Sequence, residues 1–260
     1  MWHEIRLFFV ALQFLTRVPT PQWVGWQPGW LNDSARHFPA VGLCIGAVAA
    51  AVLWLGAHAW SALIAVLLSM AATIWLTGAF HEDGLADTCD GLGGAVSRDK
   101  ALLIMKDSRL GTYGAVGLLL VLAIKAAAVH NLALRDLAAT LALLPLAHAW
   151  SRSATVLLLW ALPYGGDADH AKAKPMAQQV DGWGLGVALM WAAVAAVAAA
   201  LFLSPQVLLW AALALAAVTL WMARWLLRRL GGYTGDALGA TQQFTELAVY
   251  LAALAAMSRG

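Results

Sequence analysis

Long apolar runs, one after another, leave this chain little choice of fold. They occupy residues 38–57, 61–80, 110–129, 137–162, 184–203 and 207–225, and a shorter one fills 244–257. A bilayer core of about 30 Å takes about 20 residues of helix to cross, and inside it every backbone polar group must be bonded within the protein. The pattern therefore predicts an all-α, polytopic membrane protein. About six to seven transmembrane helices form a single domain over 1–260. Charge agrees: 12% of the residues are Asp, Glu, Lys or Arg, where a soluble domain carries about 25%. The lipid bilayer is thus one partner. A net charge of +2 gives no footing for nucleic acid, and the composition leaves room for a homo-oligomer.

Residues 5–15 are too few to span, so an interfacial or re-entrant helix is expected there. Trp23, Trp26 and Trp30 follow among glycines and prolines, as residues at headgroup level do. No basic lead or small-residue cleavage site marks a signal peptide. Cys44 and Cys89 read as small buried residues rather than a disulfide.

Orientation follows from the positive-inside rule. With a cytoplasmic N-terminus and every segment crossing, twelve of the sixteen Lys and Arg residues fall on the cytoplasmic face. Only Arg135 and Arg259 fall opposite, with Lys125 and Arg152 inside spans. Three polar stretches, 80–114, 164–183 and 231–243, share that face. Their convergence is what a single active site facing the cytoplasm needs.

The first of these stretches carries the chemistry. Six of the fourteen acidic residues lie in 80–114, with Arg98, Lys100, Lys106 and Arg109 among them. Asp83, Asp87 and Asp90 are spaced i, i+4, i+7, one stripe if the helix continues. Unpaired carboxylates on one stripe repel, and a divalent cation removes the conflict. All-oxygen ligation suits Mg²⁺ or Mn²⁺, completed by substrate phosphates. Gly84, Gly91, Gly93 and Gly94 leave room for a bulky ligand, and Arg98, Lys106 and Arg109 can hold phosphate oxygens. In the 231–243 stretch, Asp236 beside Gly235 offers another ligand. Plainer readings stand beside these: a solvated helix end for the triplet, a cap for Asp236, headgroup anchors for Lys106 and Arg109, and a structural pair for His148 and Arg152.

The residues H-E-D-G-L-A-D-T-C-D-G from His81, then R-D-K and M-K-D-S-R-L-G-T-Y-G, closely resemble the bacterial cobalamin synthase family, the adenosylcobinamide-GDP ribazoletransferases. L-G-G-Y-T-G-D-A-L-G-A near the C-terminus and F-L-T-R-V-P-T-P near the N-terminus are similar to the same family, in order along essentially the whole chain. The resemblance implies an inner-membrane enzyme of cobalamin biosynthesis. It would join adenosylcobinamide-GDP to α-ribazole or its 5′-phosphate, releasing GMP, with Mg²⁺ required. It implies catalytic and metal roles for Asp83, Asp87 and Asp90, with Asp236 as a further ligand. His81, Gly84, Arg98, Lys106, Asp107, Arg109 and Gly235 are the substrate-binding candidates. The D-x-x-D-G at Asp87 also looks like half of the CDP-alcohol phosphotransferase motif, but Ala240 stands where that motif's further aspartate would fall. Such a phosphotransferase is one rival reading, and an ion-coupled secondary transporter is another.

Overall fold

A computed structural model describes residues 2–27, 29–94, 97–166, 177 and 179–258, helical nearly throughout and without a strand among them. Helix α1 (Trp2–Leu15) turns Leu7, Val10, Ala11 and Leu15 inward, the spacing of an amphipathic helix. Its fourteen residues rise about 21 Å, too little to span. After a short α2 (Trp30–Ser34) come α3 (Phe38–Ala59), α4 (Ala62–Thr77), α5 (Phe80–Gly93), α6 (Arg98–Lys106), α7 (Thr112–Arg135) and α8 (Leu137–Ala161). Then follow α9 (Gly182–Ala199), α10 (Pro205–Leu230) and α11 (Gly235–Met257).

Among the described residues, five stretches are long and apolar enough to cross a membrane: Trp30–Ala59, Thr112–Arg135, Leu137–Ala161, Gly182–Ala199 and Pro205–Leu230. They become six if α4 and α5 are counted as one broken span, and the two meet at 88°. The sequence reads 61–80 as one crossing; the structure stops α4 at Thr77. Gly78 and Ala79 both take positive φ, 69° and 58°, and their N–H groups return to the carbonyls of Trp75 and Ile74. This closes α4 with a left-handed cap, and α5 starts afresh in a new direction.

The second difference concerns the C-terminus. Residues 231–243 are expected as a polar stretch before a marginal span, but one helix of 23 residues begins at Gly235. Thr234 caps it by accepting from the N–H of Ala237. Among the polar residues of α11, Gln242, Gln243 and Glu246 are at most 2% exposed. They face inward because α11 is the central helix, packed on α5, α7, α8 and α10. Helices α3 and α8 pack closely through Gly42 and Gly46, where a β-carbon would meet the His148 carbonyl and the Pro145 backbone. This is the small-residue packing by which membrane helices associate.

Outward-facing Trp54, Leu55, Leu119, Leu120, Val197, Leu201 and Phe202 form a broad exposed apolar surface. That surface belongs in lipid rather than in water, and the chain is a multi-pass membrane protein. Trp23 and Trp26 are exposed, but Trp30 is buried, with the Arg6 guanidinium 6.0 Å from its ring centre. Cys44 is exposed rather than buried, because it lies away from the α3–α8 seam, and both cysteines are free. Of the 164–183 loop, Asp167, Asp169, His170, Lys172 and Lys174 lie outside the described residues.

Candidate active site

A cavity of about 460 Å³ lies where the N-termini of α3, α5 and α11 meet the C-termini of α1 and α6 and the end of α8. Asp83 and Asp87 reach it from α5, Gly235 and Asp236 from the first turn of α11, and Lys106 and Asp107 from the end of α6. His81 and Arg152 also line it, and Phe14, Phe38 and Phe80 supply an aromatic wall. Phe14 stacks on Phe38 at 5.7 Å and meets Phe80 edge-on at 5.4 Å, so α1 is a wall of the site. Seven of the residues predicted from sequence thus come together: His81, Asp83, Asp87, Lys106, Asp107, Gly235 and Asp236. Asp87, Lys106 and Asp236 are each already engaged with a partner.

Asp90 does not join them. Seven residues beyond Asp83, it lies about 10 Å further along α5, against the start of α7. There its carboxylate accepts from the N–H of Gly111 at 2.7 Å and of Gly114 at 2.8 Å. A β-carbon at either glycine would press on that carboxylate. The L-G-T-Y-G signature therefore makes room for a cap donated by another helix. The two glycines, three residues apart at a helix start, were the signal that could have revealed this.

The glycines of α5 open space for neighbouring helices, not for a ligand. A β-carbon at Gly84 would sit 2.7 Å from the Asp236 carbonyl oxygen, and one at Gly93 would strike the Tyr113 ring. Gly91 faces Met105 and the Ala101 carbonyl. Gly84 is what lets α5 lie against α11, bringing Asp83 and Asp87 onto the same cavity as Asp236. It is a packing residue rather than a ligand contact.

Two predicted cations have structural posts. Arg98 donates to the carbonyls of Leu230 and Gly165 at 2.8 and 2.9 Å, tying α6 to the end of α10. Arg229, unremarked in the sequence beyond its charge, donates to the carbonyls of Leu92 and Gly94 and so caps the end of α5. Arg109 does not line the main cavity but sits in a shallower recess beside it with Asp90 and Asp107, Asp107 lining both. Its guanidinium and its backbone N–H both donate to Asp107, holding that carboxyl down at about 2.

Beneath the cavity the bundle interior is polar. The Lys125 ammonium donates to Gln243 at 2.6 Å and pairs with Glu246 at 3.0 Å. Gln242 bridges Glu246 and Ser151, and Gln243 donates to Glu82 at 3.0 Å. Arg152 donates to the His148 carbonyl at 3.0 Å, so the pair suspected from sequence exists. Buried charge of this kind persists only where partners hold it. Here Glu82, pointing away from Asp83, is a member of the network and not of the cavity.

Among the described residues, no three His, Cys, Asp or Glu side chains form a ready metal cage. The cavity wall carries, among those residues, the carboxylates of Asp83, Asp87, Asp107 and Asp236, with Lys106, the buried Arg152 and His81 beside them. Fold and site together define a class: a polytopic helical membrane protein whose acidic, aromatic-walled cavity sits at one end of the bundle. The chain also matches the cobalamin-5-phosphate synthase family model over residues 7–254. It is 60% identical to an adenosylcobinamide-GDP ribazoletransferase of Leptothrix cholodnii, over 97% of this chain and 96% of that one. Relatives of the same name from Polaromonas naphthalenivorans and Vibrio cholerae are each 40% identical, over 96% and 97% of this chain and 98% and 95% of theirs. No solved structure matches it. The chain belongs to the cobalamin-5-phosphate synthase family.

Proposed function

We propose that the chain is an Mg²⁺-dependent transferase of the inner membrane, its cavity facing the cytoplasm. It joins adenosylcobinamide-GDP to α-ribazole or its 5′-phosphate and releases GMP. The observation that carries this is the meeting of Asp83, Asp87, Asp236 and Lys106 on one cavity, in a chain 60% identical to a relative named for the reaction.

The donor set fits Mg²⁺. That ion takes one or two carboxylates and completes its shell with water and phosphate oxygens, so it needs no cage of three side chains. Asp83, Asp87 and Asp236 are the residues that would hold it. When bound it supplies charge neutralisation at the diphosphate and at the departing oxygen.

The remaining work falls to the chain's own groups. Lys106 offers a cation to phosphate oxygens. The ribazole 3′-hydroxyl attacks the phosphorus on the cobinamide arm, the bond to GMP breaks, and the hydroxyl proton passes to a carboxylate. Asp87 and Asp90 both suit that last role by type, but only Asp87 lines the cavity. Asp90, held by two N–H groups of α7, is a positioning residue. The aromatic wall of Phe14, Phe38 and Phe80 suits the flat base of the acceptor.

The test offers purified protein adenosylcobinamide-GDP with α-ribazole, and separately CDP-diacylglycerol with α-ribazole, each with and without Mg²⁺. Mass spectrometry should find GMP and a cobalamin product only in the first mixture and only with Mg²⁺. CMP released from the lipid donor, or no product from either, would contradict the proposal.

A further inference from the structure

Arg152 is 2% exposed, yet it lines both the main cavity and the smaller polar chamber beneath it. One of its terminal nitrogens is held by His148, while its Nε has no hydrogen-bond partner. The ion pairs among the described residues do not include it. The chamber's two carboxylates make no ion pair with it: Glu246 is held by Lys125 and Gln242, and Glu82 accepts from Gln243 through one oxygen while its other oxygen has no hydrogen-bond partner. A buried guanidinium with no carboxylate against it is costly in a membrane protein's interior. It is also a planar fork shaped for two oxygens of a phosphate. An unpartnered guanidinium nitrogen on a buried arginine at the wall of a cavity points to an acceptor supplied by a ligand.

We infer that Arg152 is the binding residue for a phosphate monoester, the 5′-phosphate of α-ribazole phosphate, and so sets the enzyme's preference for the phosphorylated acceptor. The inference rests on the proposed reaction and deepens it. Two anionic groups must then be held at once, the donor's diphosphate and the acceptor's 5′-phosphate, separated by the acceptor's ribose. Two sets of groups are present to hold them. Asp83, Asp87 and Asp236 with Lys106 suit a metal-bound diphosphate, and Arg152 is the other cation on the cavity wall among the described residues. Size assigns them. A corrinoid nucleotide is several times larger than a cavity of about 460 Å³, so its bulk stays outside and only its diphosphate enters. A ribazole phosphate is small enough to enter whole and reach a residue as deeply buried as Arg152.

The experiment compares kcat/KM for α-ribazole phosphate and for free α-ribazole in the wild type, Arg152→Lys and Arg152→Gln, with thermal unfolding as a check on folding. In the wild type the ratio should favour the phosphate. Arg152→Gln should lower that ratio about tenfold or more, the worth of a charge-assisted hydrogen bond, and Arg152→Lys should lower it less. If both variants fail to fold, the wild type still decides. Inorganic phosphate should compete with ribazole phosphate and leave the KM for adenosylcobinamide-GDP unchanged. A ratio untouched in a folded Arg152→Gln, or phosphate competing with the GDP donor instead, would overturn the assignment. Absence of GMP release from wild-type protein with either acceptor would instead sink the proposed reaction itself.

Discussion

Asp83 and Asp90 occupy the same face of one helix and end in different surroundings. The i, i+4, i+7 spacing in the sequence reports angle around the axis and is silent about what each turn meets along it. Asp83 and Asp87 meet the cavity, while Asp90 meets the N–H groups of Gly111 and Gly114. Removing the Asp90 carboxylate should therefore act on stability. Asp90→Ala is expected to cost about 2 kcal/mol, as for a charged helix cap, seen as a lower unfolding midpoint in detergent. An unchanged midpoint would mean the two hydrogen bonds contribute nothing. Asp107 makes a prediction in pH. Arg109 lowers its carboxyl from 3.8 to about 2, so the contribution of this contact is complete above about pH 4 and fades as pH falls toward 2. Carboxyl NMR should place its midpoint near 2, and Arg109→Ala should move it up; a wild-type midpoint near 3.8 would contradict the pairing. Arg152 could be seen from sequence only as a charge inside a span and a structural partner for His148. Its contact with two cavities depends on which face of α8 turns inward.

Between helices, glycine decides what the sequence could only suggest. The glycines of the acidic stretch read as space for a ligand, because composition cannot tell which surface a missing side chain admits. Gly84 admits the backbone of Asp236. Gly84→Val should thus drive α5 from α11, abolishing turnover together with a large fall in the unfolding midpoint, rather than raising KM alone. The break between α4 and α5 was equally hidden. Gly78 is an ordinary helix stop, but Ala79, at φ 58°, carries a conformation that its residue type does not advertise. Ala79→Gly should relieve it and stabilise the protein by about 1 kcal/mol, measured by thermal unfolding. By contrast, α3 and α8 were legible almost to their ends, and α7 and α10 except for a last turn or more that ends in Arg135 and Leu230, since a largely apolar stretch of about twenty residues has only one use in a bilayer. Helix α11 was half missed because its buried face is polar, and hydropathy cannot distinguish a polar loop from a central helix facing a polar interior.

At the scale of the molecule, the charge bias of the sequence makes a prediction about orientation. The cavity collects residues from Phe14 to Gly239 at a single end of the bundle, the end predicted by the charge bias to face the cytoplasm. With Cys44 and Cys89 replaced by serine, Ser108→Cys should resist an impermeant maleimide applied to intact spheroplasts, while Gln206→Cys, exposed at the opposite connection, should react. The opposite pattern would reverse the topology. Both the meeting of the 80–114 and 231–243 stretches and the membrane class were readable in sequence; the division of labour within the acidic stretch was not, because it depends on contacts between residues far apart in the chain. The central claim is that the carboxylates on the cavity perform the transfer, and the most direct measurement is Mg²⁺-dependent GMP release by Asp83→Asn in liposomes. The account predicts that release falls to background while the unfolding midpoint stays near that of the wild type. Wild-type release from a folded Asp83→Asn would contradict it.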